Sequence, residues 1–233
     1  MINGKKVLAI TLARGGSKSV PKKNIAELAG NPLLFYTFSE VKKSAYIDDY
    51  VLSTDCPDIE VYSLDQGVSV PFRRPVEFAT DEATSANALL HAVEFMISQG
   101  KNFDYIVEVM ATNPLKIVED IDGCIELLES KNADYVVACH QIYDNHPSRV
   151  KYLEEGKIRD FYPEVVESRR QDLSPSAYVR SGSVYAMKRD ALVKNRARYD
   201  KSDTYAYVLP PDRVINIDEP IDFLVAESIL RKK

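Results

Sequence analysis

Three cysteines, three histidines and no excess of cations set the first limits on this 233-residue chain. Cys56, Cys124 and Cys139 are odd in number and widely spaced, which is neither a disulfide framework nor a zinc pattern and points to a reducing cytoplasm. His91, His140 and His146 have no metal-ligand spacing, and no serine or cysteine sits in a nucleophile elbow, so hydrolysis through a triad is not expected. A net charge of -5 argues against a general nucleic-acid binder, which needs surplus cations to displace counterions. No apolar run approaches the roughly 20 residues of a membrane helix. Val7 to Leu12 is too short for a signal-peptide core and runs straight into a basic loop. A soluble globular protein is left, with 45% hydrophobic and 28% charged residues, of a length suited to a single domain.

What is present is an alternation of strand-like and helix-like segments. Val7–Leu12, Tyr50–Ser53, Tyr105–Met110 and Tyr135–Cys139 are short, apolar and rich in β-branched or aromatic residues, as strands buried on both faces are. Between them, Leu34, Phe38, Val41 and Ala45 recur at helical spacing, as do Leu89, Val93, Met96 and Ile97, and Ile121, Ile125 and Leu128. This order predicts an α/β fold with a mainly parallel sheet covered on both faces. His140 to Asp172 breaks the pattern: strand-like pieces at Ser148–Leu153 and Lys157–Phe161 flank a turn at Glu154-Glu155-Gly156. An excursion from the sheet is expected there, serving as a lid or a subunit contact. The sheet pattern returns at Val179–Met187, and a last strand is expected over Val214–Ile217, before a helix that opens at Pro220.

The charges are unevenly placed. The loop after the first strand holds Gly15, Gly16, Ser17 and Ser19 together with Arg14, Lys18, Lys22 and Lys23. A strand that empties into a glycine-containing basic loop suits polyphosphate, although a solvated turn has the same composition. Two more cationic groups follow, Arg73-Arg74 and Arg169-Arg170 with Arg180, and carboxylates stand at Asp55 and Asp218. Phosphoryl and nucleotidyl transfer need charge neutralisation and in-line positioning more than covalent help, and these are the residue types for it. Each has a plain rival role. Lys22 suits solvent, Asp55 and Asp218 suit helix caps, Arg180 suits an ion pair with Asp172 or Glu164, and His91 suits the core.

Ala13-Arg14-Gly15-Gly16-Ser17-Lys18, Pro21 and Lys23-Asn24 closely resemble the opening motif of the acylneuraminate cytidylyltransferases, the CMP-sialic acid synthetases. Similar segments follow in the family's order: Val51–Asp55, Arg74–Asp81 with Thr84-Ser85, Thr112–Lys116, Arg170-Gln171, Arg180–Tyr185 and Ile217-Asp218. The resemblance implies a Rossmann-like nucleotidyltransferase sheet over residues 1–233, with the excursion at about 140–172 as dimerisation element or lid. It implies a cytoplasmic homodimer that couples CTP to a nine-carbon 2-keto sugar acid with Mg²⁺, and binds neither nucleic acid nor membrane. By the same resemblance Arg14, Lys18 and Lys23 hold the triphosphate. Ala13, Gly15, Ser17 and Asn24 lie near ribose and phosphates, and Arg74, Ala79, Asp81 and Ser85 near the base. Thr112, Lys116, Arg170, Gln171, Arg180 and Ser181 would meet the sugar acid, and Asp218 the metal, with Arg14, Lys23 and Asp218 the catalytic set.

Four departures bear on the metal and the substrate. Asn216 replaces the first aspartate of the family's Asp-Ile-Asp, which weakens a two-carboxylate metal site. Met110-Ala111 replaces a Gln-Pro, and Lys116 an arginine. Ser181 stands where asparagine is usual. With those hydrogen-bonding side chains gone, a legionaminic, pseudaminic or related sugar acid is expected rather than N-acetylneuraminate. Activation of a deoxy-octulosonate, or of another sugar with a different nucleotide, and an inactive nucleotide-binding assembly protein are the alternatives.

Overall fold

In the computed structural model, which describes residues 1–232, the chain begins with β1 (Val7–Leu12), β2 (Glu27–Leu28), β3 (Asn31–Pro32), α1 (Leu33–Val41), β4 (Asp49–Ser53) and α2 (Pro57–Asp65). It continues with α3 (Ser85–Ser98), β5 (Tyr105–Val109), α4 (Val118–Lys131), β6 (Tyr135–Ile142), β7 (Lys151–Glu154) and β8 (Lys157–Asp160). It closes with β9 (Ala177–Lys188), α5 (Arg189–Asn195), β10 (Thr204–Val208) and α6 (Pro220–Leu230). Six strands form one sheet in the order β10-β6-β9-β5-β1-β4. β1 pairs in parallel with β4 and β5, and β10 with β6, whereas β9 runs antiparallel to both its neighbours.

Period-two alternation decides which side chains meet which helices. Val7 and Ala9 of β1, Val107 and Val109 of β5, and Val136 and Ala138 of β6 pack on Ile121, Cys124, Ile125 and Leu128 of α4. The opposite set, Leu8, Ile10, Ile106, Tyr135 and Val137, packs on Leu89, Val93 and Met96 of α3 and Leu192 of α5. Leu8, Ile10 and Ile106 are fully buried, worth roughly 1.5–3 kcal/mol each. α3 starts where Thr84 caps it, its hydroxyl accepting from the Asn87 N–H at 3.3 Å.

The described structure departs from the sequence reading at both ends of the pattern. No strand forms over Val214–Ile217. Ile215 and Ile217 instead pack with Leu28, Leu33 and Ala226, and the Ile217 N–H donates to the Thr112 carbonyl at 2.7 Å. Alternating apolar residues are satisfied there by a helix surface rather than a ladder. The expected strand Ser148–Leu153 begins later, because Pro147–Arg149 is a single 3-10 turn. β10 and α2 lie outside the patterns read from sequence. In α2 only Ile59 and Ser63 are buried while Val61 and Leu64 are exposed, so it has no apolar stripe to read.

The excursion is the β7–β8 hairpin with the irregular chain after it. Glu155 at φ 52° and Gly156 at φ 80° make its two-residue turn, the left-handed conformation that tight hairpins require. Leu153, Ile158, Phe161 and Val166 are exposed on it.

Candidate active site

After β1 the chain goes to β4 on one side, then returns to place β5 on the other. The crevice outside the carboxyl ends of β1 and β5 is therefore the topological switch point, where open α/β sheets bind ligands. Two cavities open there and share Leu12, Arg14 and Thr112. The first, about 290 Å³, is lined by Arg74, Thr84, Ser85, Glu108 and Met110 among others. The second, about 300 Å³, is lined by Ser17, Lys18, Lys23, Asn24 and Asp218.

The loop between them is held from below. Asn24 is buried and donates its amide to the Arg14 carbonyl at 3.0 Å, and the Asp55 carboxylate accepts from the Gly15 N–H at 2.9 Å. Asp55 thus caps no helix. A Cβ on Gly15 would stand 2.8 Å from the Cys56 Cβ, so only glycine lets the loop lie this close to the end of β4. Ala13 is buried in the core rather than in either cavity, and Ser17 closes a turn on the Gly15 carbonyl at 3.0 Å while lining the second cavity. The basic stretch is therefore a pinned cradle with its side chains outward.

Those side chains converge on two carboxylates. Arg14 donates to the Asp81 carboxylate at 2.7 Å and to the Thr80 and Ala79 carbonyls at 2.8 and 3.3 Å. Lys18 pairs with the other oxygen of Asp81, and its own side chain is 80% exposed. The two cations hold the Asp81 carboxyl below the usual carboxylate range. Lys23 donates to the Ile217 carbonyl at 2.8 Å and to Asp218 at 3.1 Å. Lys22, by contrast, forms a surface pair with Asp58 at 2.7 Å.

Asp218 is not the cap of α6: Glu219 is, and Asp222 accepts from the backbone of both Glu219 and Asp218 at 2.8 and 2.9 Å. The Asp218 carboxylate is free to face the cavity, where the Asn216 amide donates to it. Asn216 Oδ1 is buried without a partner and lies against Gly182, whose φ of +62° and missing Cβ make room for it. Because the amide nitrogen faces Asp218, Oδ1 is turned away from that carboxylate, and Asn216 does not line the cavity, so Asp218 alone is placed for a hard cation whose remaining ligands would be phosphate and water. Among the described residues no group of three or more His, Cys, Asp or Glu could hold a metal by itself.

The other expected site residues divide. Arg74 and Ser85 line the first cavity. Arg74 is almost fully buried on Ser53, donating to its hydroxyl at 2.9 Å and to its carbonyl, and burial lowers its guanidinium to about 10. Thr112 lines both cavities, with its hydroxyl buried and unpartnered. Two expectations fail. Lys116 is 2% exposed and its ammonium donates to Asn113 O at 2.6 Å, Thr37 Oγ1 at 2.7 Å and Met110 O at 2.8 Å, so it ties the turn together from inside and cannot reach a sugar. Ser181 is also buried: Ser181 to Val184 stand opposite Ala138 alone, and this bulge turns the Ser181 hydroxyl onto the Ala138 carbonyl at 2.9 Å. Arg170 and Gln171 line a separate cavity of about 560 Å³ beside the excursion, Arg170 lying 4.5 Å over Tyr143. Arg180 is exposed and sits 4.6 Å over Tyr199, paired with neither Asp172 nor Glu164. His91 is half-buried and packs edge-on to Phe72 at 4.8 Å.

Glu108 is the site residue that sequence reading missed. A glutamate near the end of an apolar strand is the one signal for it, and that signal does not say which way the side chain points.

A profile of the family described as Cytidylyltransferase matches residues 8–201. The chain is 31% identical over 222 residues to the N-acylneuraminate cytidylyltransferase of Streptococcus agalactiae serotype V, covering 94% of this chain and 52% of that protein. It therefore spans about half the length of that relative. It is 30% identical to the pseudaminic acid cytidylyltransferase of Campylobacter jejuni serotype O:23/36, over 97% of both chains. Among solved structures it is similar to a CMP:2-keto-3-deoxy-manno-octonic acid synthetase complexed with CTP, with a TM-score of 0.70, 16% identity, and coverage of 97% and 99%. That likeness shows the fold.

Proposed function

This chain belongs to the cytidylyltransferase family, a family of nucleotidyltransferases, and from that premise we propose that it couples CTP to a nine-carbon 2-keto sugar acid. The observation that carries the reading is the pair of adjoining cavities at the switch point, one cationic with Lys18, Lys23 and Asp218, one with Arg74 and Ser85, sharing Arg14. In this reading the triphosphate takes Lys18 and Arg14 from Asp81, exchanging one anion for another, while the base lies on the Arg74–Ser85 side. The anomeric hydroxyl of the sugar acid attacks the α-phosphorus in line, forming the O–Pα bond and breaking the bond to pyrophosphate, while the hydroxyl proton passes to solvent water. Arg14, Lys18 and Lys23 take up the charge that gathers on the leaving group.

Asp218 would hold Mg²⁺ together with phosphate oxygens and water, and the ion would neutralise phosphate charge. Lys23, resting on Asp218, would keep that carboxylate in place. The exposed apolar residues of the excursion, Leu153, Ile158, Phe161 and Val166, support its use as the contact of a homodimer. No helix of the described residues is long and apolar enough to cross a membrane, and the three free thiols support a cytoplasmic setting.

A coupled pyrophosphate-release assay tests the reading, with CTP, UTP, ATP and GTP against N-acetylneuraminate, pseudaminic, legionaminic and deoxy-octulosonic acids. Turnover with CTP and a nine-carbon acid, abolished by chelation, is the expected result. No turnover with any CTP and keto-acid pair would sink it.

A further inference from the structure

β5 is an interior strand, and on the face it shares with Leu8 and Ile10 its alternation runs from Ile106 to Glu108. A carboxylate at such a place is costly unless it is paired. Glu108 is 2% exposed, and its Oε2 accepts from Arg198 Nη1 at 2.8 Å. The Arg198 guanidinium in turn lies 4.4 Å over the ring of Tyr185, which stands opposite Glu108 in the β5–β9 register. Burial pushes the Glu108 carboxyl up, and Arg198 and Arg74 pull it back toward the charged form. A buried ion pair stabilises a fold little more than an apolar pair of the same volume, so stability alone gives no reason for it.

Its position does. Glu108 lines the first cavity together with Met110 and Thr112, on the strand and turn whose other polar candidate, Lys116, faces inward. Arg198 occupies Oε2 and leaves Oε1 for the cavity. We propose that Glu108, braced by Arg198, determines acceptor specificity: its carboxylate accepts a hydrogen bond from a hydroxyl or amide N–H of the sugar acid, while the base is read on the Arg74–Ser85 side. The same negative charge turns the acceptor's own carboxylate away from this wall, so one orientation is favoured by attraction and the reverse opposed by repulsion. The proposal rests on the CTP and sugar-acid reading above.

The wild type is first assayed for pyrophosphate release with CTP and each of N-acetylneuraminate, pseudaminic acid and legionaminic acid. Two variants follow, Glu108→Gln and the double variant Glu108→Leu with Arg198→Leu, which removes the pair without leaving the arginine unpaired. The KM for the best acceptor is expected to rise about tenfold or more and the order of preference to change, while CTP affinity by calorimetry stays within about twofold. An unchanged KM and preference in a variant that melts like wild type would make the pair purely structural and overturn the proposal. A fall in CTP affinity matching the rise in KM would assign Glu108 to the nucleotide instead, and also overturn it. Should the leucine pair not fold, the Glu108→Gln variant decides by the same readings. Wild-type turnover with unmoved variants defeats this inference alone, whereas absence of wild-type turnover defeats it together with its premise.

Discussion

On the cationic side of the site, Arg14 and Lys18 share Asp81, and Lys23 rests on Asp218, each with part of its side chain open to solvent. On the turn after β5, Lys116 commits its ammonium to Thr37, Met110 and Asn113 inside the protein. Both regions are lysine- or arginine-bearing segments of one motif-rich chain, and composition does not separate them. Burial does. Lys18, exposed and held by Asp81 alone, trades that partner for a phosphate at little cost, because a surface ion pair is worth only about 0–1 kcal/mol, while Arg14 and Lys23 also keep backbone carbonyls that hold them in place. A lysine whose donors meet oxygens in a dry turn cannot swing out without leaving all of those oxygens unpaired.

The contrast can be broken by exchanging which property each lysine controls. Lys23→Ala is expected to cut kcat/KM by about 10²–10³-fold, the scale for losing one donor to developing charge, with the melting temperature near wild type. Steady-state kinetics beside a thermal melt would show whether activity and stability separate in that way. Lys116→Met should do the reverse. It removes a buried cation from its acceptors and is expected to cost about 3 kcal/mol in denaturant titration, with turnover per folded molecule little changed. If Lys116→Met instead abolished turnover at full stability, the turn would be catalytic and the contrast would collapse.

The pH dependence sharpens the same point. Burial lowers the Lys116 ammonium to about 7. The unfolded chain keeps an ordinary lysine near ~10.4, so between these values it binds more protons than the folded state. The cost of a charged Lys116 is thus fully present below about 7 and relieved as the pH rises above it. Stability from denaturant titration should gain a rising component across that window, and Lys116→Met should lose it. Smaller again is the effect expected at Thr84, which caps α3 beside the first cavity: Thr84→Ala should cost about 1 kcal/mol by the same titration. Least of all, Lys22→Ala should leave melting and turnover where they were, because Lys22 meets only Asp58 on the surface.

Much of the scaffold was legible because local pattern and fold agree. The apolar runs at β1, β4, β5 and β6 and the helical stripes of α1, α3 and α4 form elements, since most of each predicted face is buried; Ala45 falls beyond the end of α1 and Ile97 is exposed. The misses have one cause. α2 is held at the edge by little more than Ile59, and Ile215 and Ile217 find a helix to cover them instead of a strand to pair with. Neither outcome is encoded within a window of a few residues. In the site, the cationic loop and Asp218 were visible as charges beside strand ends, but Lys116 and Ser181 were assigned outward because a motif fixes spacing and not direction. Glu108 went unseen for the complementary reason.

By itself the sequence determined the α/β alternation, the cationic loop after β1 and the family to which the chain belongs, because these depend on residue type and spacing along the chain. Tertiary structure alone decided which charges face a ligand. β5 lies beside β9, so Glu108 stands opposite Tyr185 and within reach of Arg198; the bulge in β9 turns Ser181 inward; and the turn after β5 closes over Lys116. Burial and pairing are set by segments far apart in the chain, and the energy of a charge depends on those neighbours more than on its place in a motif.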